Sequence, residues 1–294
     1  MSDNTGSELT DRARVAFGLH EWDEAFDLLM RADAAGSLPA GDLPLLGETA
    51  YAAGHLDACI EAWERAHAAS MLVGDDIGAA AAAVRVAMHV LFDTALMAPV
   101  RGWLARAETL LERHPDTPAH AWFAVVRSYE RMLTGDLSAA RQWARRAVEI
   151  GSVCEPAACA VGRVADGRLL ILAGDVGQGL ALLDEAGVAA LSGDLDPLSR
   201  GVVYCELVCA LQGLALYDLA QEWTEGDGAV VRLRRGRQPS RALPCAPRRD
   251  PATPRLVRRG GAAGVTGLRG AAALPAPGAR LAPQRARAHP TPQG

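Results

Sequence analysis

The residues with most chemistry to offer are six cysteines and seven histidines in a chain of 294 residues. Cys154 and Cys159, and Cys205 and Cys209, lie about one helical turn apart inside Ala- and Val-rich runs. Neither pair has the CxxC spacing, or a matching histidine, that a zinc site needs. Buried thiols acting as small hydrophobes in a reducing compartment are the expectation. His20, His55, His67, His89, His114, His120 and His289 are scattered, and no two share a helical face at metal spacing. Gly174-Asp175-Val176-Gly177-Gln178-Gly179 has the glycine spacing of a phosphate loop but lacks the preceding strand which that loop requires. It reads instead as a turn between helices. Walker, GxSxG and HExxH motifs are absent from the sequence. The chain is expected to be non-catalytic, with no metal and no cofactor.

Composition divides the chain in two. Up to Gly226 there are 16 Arg against 33 acidic residues, a net of −17; from Asp227 there are 14 Arg and two acids, a net of +12. Ten of the 17 prolines fall in that second part, and no aromatic residue follows Trp223. Such a segment cannot bury enough apolar surface to offset chain entropy, so 226–294 is expected to be a disordered tail. Arg232, Arg234, Arg235 and Arg237 could touch phosphates without sequence preference, which makes weak non-specific nucleic-acid binding one alternative function. The N-terminus, with Asp3 and Glu8, shows no basic start and apolar core, and the Ala-rich run Gly78–Met88 is short and broken by Arg85. A cytoplasmic protein is expected.

The acidic part repeats. A pattern of a turn residue, an acid or polar residue, and then small residues at positions 6 and 13 with a larger one at position 10 starts at Gly54, Gly135 and Gly174. Weaker copies start at His20, Ala95 and Ala215. The starts are 34, 41, 40, 39 and 41 residues apart, the period of helix-pair solenoids. Small residues let paired helices approach, and the larger one fills the groove between pairs. Pro39, Pro44, Pro115, Pro118, Pro156 and Pro197 fall between helices or at their starts, and Pro99 fits a first turn. The expected fold over 8–225 is all-α: about twelve helices in six antiparallel pairs, resembling tetratricopeptide repeats and winding as a right-handed superhelix.

Residues 20–225 also resemble the helical-repeat region of LuxR-type transcriptional regulators. The likeness rests on Ala13–Ala32, Ala62-Trp63-Glu64-Arg65-Ala66-His67, Gly102-Trp103-Leu104-Ala105-Arg106-Ala107, Gly201-Val202-Val203-Tyr204-Cys205 and Glu222-Trp223-Thr224. The resemblance implies a repeat region that contacts proteins or ligands, followed by a DNA-binding helix-turn-helix. After Thr224 the apolar periodicity of a recognition helix is missing, so DNA binding is not carried over.

Stacked helix pairs present a concave face built from the first helix of each pair. Projecting the repeat register back by one helix places Glu48, Arg85, His89, Trp122, Tyr129, Arg168 and Gln212 on that face. Trp, Tyr and Arg are the types enriched at binding hot spots, so a protein, peptide or small ligand bound there by a non-catalytic scaffold or sensor module is the expected function.

All 30 basic residues are Arg, which points to a GC-rich gene. The Arg/Pro/Ala/Gly tail is what GC-rich codons yield in a wrong frame. Read one base later, Asp227–Leu233, Pro244–Arg259 and Leu274–Gln293 each permit a segment with helical periodicity. Out-of-frame translation from about residue 226 is therefore expected. It would leave the last helix pair uncapped and open to self-association, and a non-functional truncation product is the other alternative function.

Overall fold

The computed structural model of the chain describes residues 2–193 and 195–224. These are helical throughout: α1 (Ser2–Gly18), α2 (Trp22–Ala34), α3 (Leu43–Ala52), α4 (Leu56–Val73), α5 (Asp76–His89), α6 (Met97–Leu111), α7 (Pro118–Leu133), α8 (Leu137–Cys154), α9 (Pro156–Leu172), α10 (Val176–Ser192), α11 (Pro197–Gly213) and α12 (217–224). A 3₁₀ turn, Ala40–Asp42, precedes α3, and a π-helical turn, Val90–Thr94, prolongs α5. Twelve helices are present among the described residues, as expected, and α1, α3, α5, α7 and α9 each pack on the helix that follows. The basic tail, its arginine cluster and the segments expected to be out of frame lie outside the described residues, and the end expected to self-associate adjoins them in sequence.

The six repeat starts found in the sequence are the six turns inside the pairs. Gly54, Gly135 and Gly174 take φ of +86°, +86° and +93°, and His20, Ala95 and Ala215 take +63°, +55° and +60°. Each left-handed residue reverses the chain in one step. Glycine does this without strain, whereas a residue with a Cβ crowds the following carbonyl. After the turn, Asp136 and Asp175 accept the backbone N–H of Ala139 and Gln178, satisfying free amides at the start of α8 and α10. Pro118, Pro156 and Pro197 open α7, α9 and α11, where a missing N–H costs nothing.

The repeat positions then explain the core. Ala25, Leu29 and Ala32, Val100, Leu104 and Ala107, and Ala140, Ala144 and Ala147 are all 0% exposed. At Gly179 the helices come closer than any Cβ would allow, since one built there meets the Gly167 carbonyl oxygen at 2.6 Å. The glycine motif noted in the sequence is thus a turn followed by a close helix crossing.

Two expectations need correction. The apolar run around Arg85 is longer than Gly78–Met88: Asp76–Thr94 is long and apolar enough to cross a bilayer, but most of it is buried against neighbouring helices. Among the cysteines, Cys59 and Cys159 are buried, while Cys154, Cys205 and Cys209 are exposed. Cys154 ends α8, and Cys205 and Cys209 sit one turn apart on α11, both exposed.

Odd-numbered helices form an inner layer in which α5 packs on α7, α7 on α9 and α9 on α11. The layer curves far enough for α11 to touch α3.

Candidate functional site

Five side chains meet on the inner face around one cavity of about 420 Å³: Glu48, Trp63, Arg85, Trp122 and Glu155. Each owes its place to a different element. Glu48 lies on α3 and Arg85 on α5. Trp122 is one turn into α7, and Glu155 is the residue before Pro156 at the start of α9. Trp63 belongs to α4, an outer helix, and reaches the cavity because Gly47 has no side chain: a Cβ there would lie 2.6 Å from the indole nitrogen.

The Arg85 guanidinium is held by the two indoles, its carbon 4.7 Å from the Trp122 ring centroid and 5.8 Å from that of Trp63. Cation–π contacts of this kind contribute about 0.5–2 kcal/mol each, the more so when shielded from water. Both tryptophans are more than nine-tenths buried, and both indole N–H groups lack a well-aligned acceptor. The Trp122 N–H faces the Glu155 carboxylate closely enough to favour its charged form.

The carboxylates are short of counter-charge. Burial pushes Glu48 above the usual carboxylate range; Arg85 opposes this through space, while Asp196 and Glu155 add to it. Glu155 is raised by burial as well, again eased by Arg85 and worsened by Asp196. Glu48 is nonetheless open to solvent, because the surface it exposes is the cavity itself. Asp75 also lines the cavity, with its carboxylate capping the Gly78 N–H at 2.9 Å.

A second cluster lies further along the inner face. Arg168 on α9 bonds to Glu206 on α11; burial works against its charge, but Glu206 more than offsets that and the pKa is raised. The Tyr129 hydroxyl is buried without a hydrogen-bond partner, and burial drives its pKa up. Its ring meets Phe92, from the π-helical turn, edge to face at 4.9 Å. Cys209, beside Arg168, is lowered to about 7 by a hydrogen bond from Cys205.

The sequence-predicted residues thus fall into separate groups. Glu48, Arg85 and Trp122 share the cavity, and Tyr129 and Arg168 share the second cluster. His89 is buried, 4.7 Å from the Tyr51 ring and with Asp93 at 3.7 Å. Gln212 is half-buried near the end of α11 and does not line the cavity. Sequence reasoning missed Trp63, Glu155 and Asp196. Trp63 was passed over because only first helices were projected onto the face. An acid directly before Pro156 and Pro197 was a readable helix-start signal in the other two cases. Among the described residues, no group of three or more His, Cys, Asp or Glu is arranged to hold a metal ion.

Among solved structures, the chain is similar to the thermophilic TPR protein TTC0263 of Thermus thermophilus. The identity is 16% with a TM-score of 0.46, over 70% of this chain and 99% of that one. It is also similar to BtubC (BKLC) from P. vanneervenii, at 18% identity and a TM-score of 0.45, over 65% of this chain and 91% of that one. No protein-family model and no curated protein matches the chain. The pairing of the helices rests on this chain's own turns and packing.

Proposed function

We propose that the helix-pair array is a non-catalytic binding module that holds a segment of a partner protein against its inner face. The observation that carries this reading is the convergence of Trp63, Arg85 and Trp122 with two carboxylates on one cavity. Tryptophan and arginine are the residue types that dominate binding energy at interfaces, and here they are already fixed in place by packing. A second, finer step is that the module serves as scaffold or sensor in a LuxR-type regulator. That step rests on the resemblance of the Ala62–His67, Gly201–Cys205 and Glu222–Thr224 segments, and the gene sequence beyond codon 225, read one base later, tests it.

Immobilised protein tests the binding reading. A partner retained from cell extract by the wild type should be lost on Arg85→Ala and weakened on Tyr129→Ala or Arg168→Ala. Arg145→Ala, on the exposed side of α8, should leave it unchanged. No retained partner, or equal retention by all variants, overturns the reading.

A further inference from the structure

The cavity has an unbalanced electrostatic composition. Glu48, Asp75 and Glu155 line it and Asp196 acts on it from the start of α11, against the single cation Arg85. Asp75 is committed to its helix cap and Arg85 to its two indoles. That leaves Glu48 and Glu155 as two partly desolvated acids without a dedicated cation. Carboxylates in this condition are stabilised strongly by an incoming donor, because charge-assisted hydrogen bonds gain strength where water is scarce. The buried Trp122 N–H faces Glu155 without a well-aligned hydrogen bond, and an incoming acceptor would complete it. An arginine or lysine side chain supplies the cation, and the carbonyl of the same peptide supplies the acceptor. Arg85 shows that the aromatic walls accept a guanidinium, and about 420 Å³ admits a side chain but not a folded element.

We infer that the partner inserts a basic side chain of an extended peptide between Glu48 and Glu155, with a backbone carbonyl accepting from Trp122. This deepens the binding reading above and rests on it. The groups that face the inserted cation are Glu48 from α3, Asp75 and Arg85 from α5, Glu155 before α9 and Asp196 before α11. Both receiving acids are pushed up by burial, so cation binding favours their charged forms. Binding therefore releases protons and weakens as pH falls through the range just above ordinary carboxylate titration.

Calorimetric titration of the full chain with acetyl-Gly-Arg-Gly-amide, its norleucine and glutamate counterparts, and agmatine tests this. The arginine peptide should bind at one site. Glu48→Gln and Glu155→Gln should each weaken it roughly tenfold. Asp184→Asn, an exposed acid on α10, should leave it unchanged. Equal binding of the norleucine or glutamate peptide, or no effect of the two Gln variants, overturns the inference. Agmatine binding as tightly as the peptide overturns the peptide assignment. If the arginine peptide fails while a partner is still captured and lost on Arg85→Ala, this inference falls and the binding reading stands. If capture fails too, both fall.

Discussion

Helix α7 carries two kinds of buried polarity on two of its faces. Toward α6 it presents Arg127 and Glu130. The Glu130 carboxylate is 2% exposed as a residue and is surrounded by cations, with Arg101 at 2.9 Å, Arg131 at 3.3 Å and Arg127 at 3.9 Å. Arg127 in turn reaches Glu108 at 2.7 Å. Toward the inner face α7 presents Trp122, whose N–H lacks a well-aligned acceptor beside acids that outnumber the cation, and Tyr129, whose buried hydroxyl has no hydrogen-bond partner. In the first place each buried charge faces counter-charge from within the chain, although Glu130 Oε2 makes ion pairs without a well-aligned hydrogen bond, and that is enough for a structural seam. In the second the demand is left open. Incomplete satisfaction next to a cavity, more than burial or residue type, distinguishes a surface kept for a ligand from one spent on the fold.

That distinction can be broken by mutation. Glu130→Ala should lower unfolding free energy by about 2–3 kcal/mol, because it removes the buried carboxylate that three arginines share while Arg127 keeps Glu108. Urea denaturation at neutral pH measures this, and a loss under about 1 kcal/mol, the worth of a surface pair, would remove the seam from the comparison.

The next effect is smaller and serves as a yardstick. Ala95 joins α5, which carries Arg85, to α6, which carries Arg101 and Glu108, in a left-handed turn at φ +55°. Ala95→Gly should add about 0.5–1 kcal/mol by relieving that strain. It should change neither the ligand binding nor the pH dependence of stability, so any change in those would tie the two regions together through the turn.

The smallest effect has the opposite sign to the first. Glu48→Gln should raise stability at neutral pH, by less than about 1 kcal/mol because Glu48 is exposed and solvent screens its charge. The folded pKa of Glu48 is raised above its ordinary 4.5, so the folded state holds the proton more tightly than the unfolded chain does. The cost is complete above the folded pKa and disappears as pH falls to 4.5, so wild-type stability should decline with rising pH through that window. Thermal melts across it should show a flatter profile for Glu48→Gln. A loss of stability in the variant would mean that Glu48 is structurally paired, as Glu130 is.

Much of the fold was legible because it is written in turns and small residues. Each of the six repeat starts is a left-handed residue, and the Ala, Val and Leu positions that follow them belong to the core. The register also put Glu48, Arg85 and Trp122 on one face. It could not show that Tyr129 and Arg168 gather in a separate cluster, or that His89 is buried behind Tyr51. It missed Trp63 because that indole passes from an outer helix over Gly47, a crossing fixed by packing rather than by period. The exposure of Cys205 and Cys209 escaped for a related reason: apolar neighbours in sequence do not say which side of a helix a neighbour covers.

The touch between α3 and α11 has a kinetic consequence. In a solenoid whose pairs meet only their neighbours, unfolding can peel inward from either end and folding needs only local contacts. Here the second pair is fastened to the sixth across most of the described chain. Forming that fastening closes a long loop late, which slows folding relative to a strictly local array. Once formed, it makes the helices between α3 and α11 open together. The α1–α2 pair lies outside the closure, joined through α2 to α3 and by Arg14 to Asp42 at 2.5 Å, and is an end from which the array can fray.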